Sequence, residues 1–107
     1  MILTSFQTKM IAQLKKNLGN RHLHYRMDEA EKSNVGPHVL FYIGDIVIYV
    51  YTNEAGWMLG KHWQPFERPD FKSDEELISA FITEVIDVIQ TGIYPEKSLG
   101  TSAIYFK

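Results

Sequence analysis

The strongest pattern of hydrophobic positions along the chain lies over residues 38–52, an almost wholly β-branched and aromatic run broken only by Gly44-Asp45. This pattern predicts two antiparallel strands joined by a two-residue turn, with glycine at the position that needs positive φ. The turn fixes the register: Ile43 faces Ile46, Phe41 faces Ile48 and Val39 faces Val50. One side of the hairpin then carries Val39, Phe41, Ile43, Ile46, Ile48 and Val50, and is the expected core face. The reverse carries His38, Leu40, Tyr42, Val47, Tyr49 and Tyr51, a surface with apolar bodies and polar tips.

Outside the hairpin the period changes. Phe6, Met10, Ile11, Leu14 and Leu18 recur at three- and four-residue steps behind a Thr4/Gln7 capping box, predicting a first helix. Lys15 and Lys16 suit the negative end of its dipole, and Gly19 is expected to end it in a left-handed conformation. Residues 21–27 alternate as a strand with Leu23, Tyr25 and Met27 on one face and His22, His24 and Arg26 on the other. Residues 28–37 are polar, end in Val-Gly-Pro and predict a loop.

After the hairpin, residues 53–56 form a second tight connection and residues 57–63 return as one more strand. Gly60 inside that strand marks a bulge or a close approach, which leaves open the faces taken by Trp57 and Trp63. Residues 64–72, with two prolines, predict an extended crossover. Its Phe66 and Phe71 either tuck under the loop or stand exposed. A second helix is capped by Ser73 with Glu76, has Asp74, Glu75 and Glu76 in its first turn, and carries a stripe of Leu77, Ile78, Phe81, Ile82, Val85, Ile86 and Ile89. Its outward side holds Glu76, Thr83, Glu84, Asp87 and Gln90. Thr91-Gly92 closes the helix, Tyr94-Pro95 turns the chain, and residues 101–107 form a last short strand that needs an edge in this chain or another.

These elements predict one α+β domain over residues 1–107: an antiparallel β-meander of 4–5 strands with an N-terminal and a C-terminal helix packed on one face. Its length allows one modest core. The absence of cysteine removes disulfides, thiolate metal sites and cysteine nucleophiles, and fits a cytoplasmic location. No stretch suits a membrane span, and the first residues do not read as a signal peptide. The net charge of −2 is unevenly spread, with six Lys/Arg against three Asp/Glu in residues 1–32 and five against ten in residues 33–107. That acidic larger part disfavours nucleic acid as a partner.

No phosphate loop, nucleophile elbow, His-Glu-x-x-His or other cofactor motif occurs, so no cofactor is expected. His22 and His24 have the spacing of two metal ligands on a strand, but Arg21 and Arg26 flank them and a third ligand is lacking, so no metal is expected. The chemistry that stays open is an acid/base enzyme, metal-independent and ribonuclease-like, using His38 and His62.

In its order of helix, meander with an aromatic outer face and capped acidic helix, the chain resembles the small cytoplasmic immunity proteins of bacterial toxin systems, including contact-dependent inhibition. That resemblance implies a non-enzymatic module that binds and neutralises a cognate toxin domain, often a nuclease with a basic cleft. The expected contacts are Tyr42, Tyr49, Tyr51, Trp57 and Trp63, with Glu54, Glu84 and Asp87 as steering charges. A homodimer paired through the C-terminal strand is the third reading.

Overall fold

The computed structural model describes residues 3–19, 24–28, 38–91, 93–94 and 104–105. Helix α1 (Ser5–Leu18) begins where Thr4 Oγ1 accepts the Gln7 backbone N–H at 3.1 Å and the Gln7 side chain accepts the Thr4 N–H at 2.9 Å. The capping box also docks the helix. Thr4 Oγ1 donates to the carbonyl of Thr52 at 2.6 Å, and buried Gln7 Nε2 reaches the carbonyl of Val50 at 3.5 Å. Gly19 departs from expectation, ending the helix at φ −58° in the right-handed region, with its N–H bonded to the Lys15 carbonyl.

Five strands follow: β1 (His24–Asp28), β2 (His38–Ile43), β3 (Ile46–Val50), β4 (Ala55–Leu59) and β5 (His62–Phe66). They form one antiparallel meander in chain order. The central hairpin has the expected register, Val39 opposite Val50 through Ile43 opposite Ile46, and Gly44 turns it at φ +57°. The segment expected as one strand over 57–63 is two. Gly60, at φ +59°, is a hairpin turn rather than a bulge, and it puts Leu59 opposite His62 and Met58 opposite Trp63. Residues 64–66 therefore extend β5 instead of opening the crossover. Pro65 is accommodated because β5 lies at the sheet edge, where a missing N–H costs no ladder bond.

A single 3-10 turn (Arg68–Asp70) leads into helix α2 (Asp74–Thr91), whose start is tied by Ser73 Oγ accepting the Glu76 N–H at 3.1 Å. Arg68 clamps this corner, donating to Asp74 at 2.8 Å and to the Phe71 carbonyl at 2.8 Å. Phe66 and Phe71 tuck in, stacked at 6.0 Å, with Phe66 edge-on to Phe81 at 5.1 Å. Both helices lie on one sheet face. A single buried cluster joins Met10, Leu14 and Leu18 of α1, Leu77, Phe81, Val85 and Val88 of α2, and Val39, Phe41, Ile48, Val50 and Trp57 of the sheet. The stripe on α2 is buried as expected from Leu77 through Val85, and in the last turns Val88 takes the buried place while Ile86 and Ile89 lie at its margins.

Strands β6 (Ile93–Tyr94) and β7 (Ile104–Tyr105) pair with each other, so the C-terminal strand finds an edge within its own chain. Asp28, expected to open the loop over 28–37, instead ends β1 opposite His38. The rest of that loop (29–37), residues 21–23 of the expected first strand with His22 among them, the Gly92 stop, the turn at Pro95 and residues 101–103, 106 and 107 lie outside the described residues.

Candidate functional site: the aromatic reverse of the sheet

The strand alternation that buries Val39, Phe41, Ile48 and Val50 sends Leu40, Tyr42, Val47 and Tyr49 to the opposite face, and the register continues that face through Gly56, Met58, Trp63 and Pro65. This face is graded. His38 and Leu40 are buried at 6% and 5% exposure, whereas Tyr42, Val47, Tyr49, Tyr51, Met58, Trp63 and Pro65 are half-buried. The accessible part is therefore the region over β3 to β5, together with Tyr42, and excludes His38 and Leu40.

Its rings form a continuous series. His38 lies 5.5 Å from Tyr51, Tyr51 stacks on Tyr49 at 6.0 Å and 22°, and Tyr49 meets Trp63 edge-on at 5.4 Å and 86°. The contact from β3 to β5 crosses β4, and Gly56 permits it. Gly56 sits between Tyr49 and Pro65 in the register, and a side-chain carbon built there would collide with the six-membered ring of Trp63. The missing side chain is filled by an aromatic ring from the neighbouring strand. Sequence reasoning assigned Gly56 to a turn, so this crossing was missed; a glycine inside a strand, with tryptophan in the strand that follows, was the signal for it.

Beyond Trp63 the face ends in a cleft of about 310 Å³, walled by Tyr51, Glu54, Trp63, Pro65 and Glu67. The turn between β3 and β4 shapes one side, closed by the Tyr51 N–H donating to the Glu54 carbonyl at 2.8 Å. Burial above all, then the nearby Tyr49 and Glu54, pushes the Tyr51 hydroxyl above its ordinary value of 10.0. Pro65 and Glu67 complete the cleft, although neither was expected to belong to the site.

Of the expected contacts, Tyr42, Tyr49, Tyr51, Trp63 and Glu54 share this side of the sheet or its rim. Trp57, Glu84 and Asp87 do not join them. Trp57 is a core residue at 0% exposure, and its indole N–H donates to Glu84 Oε2 at 2.8 Å, so both serve the packing of sheet on helix. Asp87 is exposed on α2, across the sheet from the tyrosines. The strand period explains this correction: with the turn at Gly60, Trp57 and Trp63 fall on opposite faces.

The two histidines considered for acid/base work are also separated. His38 lies on β2 among the tyrosines, while His62 lies on β5, buried at 2% exposure against Trp57 at 5.3 Å. They occupy opposite faces with two strands between them, too far apart to act on one substrate atom. Among the described residues there is no group of three or more His, Asp or Glu arranged to hold a metal, and no helix long and apolar enough to cross a membrane. A larger groove of about 650 Å³ runs between the helices, past Lys9, Asn17, Ile78 and Ile86, on the side away from the rings. Comparison with protein-family models, curated proteins and solved structures gave no match to this chain.

Proposed function

We propose that this protein is a non-enzymatic binding module of the immunity type, which presents the aromatic reverse of its sheet to a cognate toxin domain. The observation that carries this reading is the division of labour between the two sheet faces. Both helices pack on one, while the other keeps Tyr42, Tyr49, Tyr51 and Trp63 half-buried and accessible. Tyrosine and tryptophan are enriched in binding hot spots because they bring large rigid area and a polar tip at small entropic cost. The acidic balance of residues 33–107 adds attraction toward a basic partner such as a nuclease domain.

Replacing the stacked pair with Tyr49→Ala/Tyr51→Ala tests the reading. The double variant is expected to retain cooperative unfolding and to lose roughly 2–4 kcal/mol of affinity for the toxin domain, the scale of a central hot spot. Calorimetry against a toxin domain encoded beside this chain measures it, with growth rescue as the cellular counterpart. Unchanged affinity in the folded variant refutes the face.

A further inference from the structure

The cleft at the end of the ring series has a chemistry of its own. Tyr51 and Trp63 place aromatic residues in its lining, and Glu54 and Glu67 place two acidic residues around the same space. Among the described residues no cation answers them. The ion pairs there join Lys9 to Glu75 and Asp74, and Arg68 to Asp74, and none reaches Glu54 or Glu67. Aromatic faces attract cations through their quadrupole, and carboxylates at the rim add Coulombic attraction in a partly desolvated space. Burial first, then Tyr49 and Glu54, holds the Tyr51 hydroxyl above its ordinary value, so this wall of the cleft is a neutral phenol.

We infer that this cleft receives the guanidinium group of one arginine side chain presented by the protein partner. The inference rests on the binding reading above and names the partner chemistry at one end of that face. Arginine suits the cleft better than lysine. Its planar group stacks on a ring while its five N–H donors reach carboxylates at the edge, and it is more weakly hydrated than an ammonium. The size fits as well, since about 310 Å³ is near the lower end of the ~300–1,000 Å³ span of ligand pockets and suits a single side chain. Anionic groups are opposed by the same two carboxylates. Trp63 is held in place by Tyr49 and by the space over Gly56, so one wall is formed before any guest arrives.

The test uses the isotope-labelled full chain titrated with N-acetyl-arginine amide, with the lysine and citrulline analogues alongside. The arginine probe is expected to shift the Trp63 indole and the backbone signals of Tyr51 and Glu54. Citrulline, equal in shape and uncharged, is expected to bind about ten-fold more weakly or worse, as is arginine to the Glu54→Gln/Glu67→Gln variant. That variant keeps its fold, read from an unchanged Trp57 indole signal, because neither glutamate has an ion-pair partner among the described residues. Equal binding of citrulline, equal binding of lysine, or full arginine affinity in the glutamine variant overturns the inference. Failure here is distinguishable from failure of the binding face: a silent probe with Tyr49 and Tyr51 still needed for the toxin domain removes the cleft alone, while normal probe binding with those tyrosines dispensable refutes the face, and with it the claim that the partner supplies the arginine, leaving only the affinity of the cleft for guanidinium.

Discussion

The two faces of the sheet are built from the same strands and both carry aromatic rings, yet one is closed by the helices and the other is not. Trp57 and Trp63 make the contrast concrete. They are six positions apart on adjacent strands, one at 0% exposure beneath the helices and the other half-buried over Gly56. On the inner face Trp57 belongs to the closed cluster shared with the helices, lies 5.3 Å from the His62 ring, and has its indole N–H bound by Glu84 of α2. On the outer face each ring meets chiefly other rings. The comparison teaches that aromatic content alone does not mark a binding surface. What distinguishes the outer face is that neither helix covers it, so Tyr49, Tyr51 and Trp63 stay half-buried while Trp57 is closed off.

The strongest way to break this comparison is to remove each tryptophan in turn. Trp57→Ala is expected to cost about 3–5 kcal/mol in urea unfolding, a cavity in a closed core. Trp63→Ala should cost roughly 1–2 kcal/mol, since only part of the ring is withdrawn from water. Equal losses would abolish the distinction between the faces.

A finer test adds a methyl where the crossing ring lies. Gly56→Ala is expected to cost about 1–3 kcal/mol through the collision with Trp63, whose fluorescence should move to longer wavelength as the ring is expelled. The smallest expected effect concerns the helix layer. A hydrogen bond from Lys9 holds the Glu75 carboxyl below its ordinary value of 4.5. Because the folded value is the lower one, the contribution is present above the ordinary carboxylate range and is lost as pH falls through the folded value. The pair is exposed, so Lys9→Ala should change the acid limb of thermal stability only slightly, with the outer-face rings unaffected.

Much of this fold was legible because local signals agreed with packing. Thr4 with Gln7, the Gly44 turn and the acidic first turn of α2 each specify their element within a few residues. Gly60 was harder, since a glycine with positive φ reads equally as a bulge or as a hairpin, and what decides is whether Gln64-Pro65-Phe66 can pair with Ala55-Gly56-Trp57. That pairing spans residues whose proline argues locally against a strand and is tolerated only at an edge. The site inherited the same ambiguity. Tyr42, Tyr49 and Tyr51 followed from alternation along one hairpin, whereas Trp63, Pro65 and Glu67 depended on a turn that periodicity could not distinguish, and Trp57 and Glu84 found each other across layers.

The hydroxyl of Thr4 ties together distant parts of the chain. It accepts the Gln7 N–H in the first turn of the helix and donates its own hydrogen bond to the carbonyl of Thr52, inside the loop that carries Tyr51 and Glu54. The lip of the cleft is therefore moored to the foot of α1 instead of swinging as an independent loop. Mechanical slack at the beginning of that helix would be transmitted to the mouth of the cleft, so any grip on the proposed guest would depend on residues that never meet it.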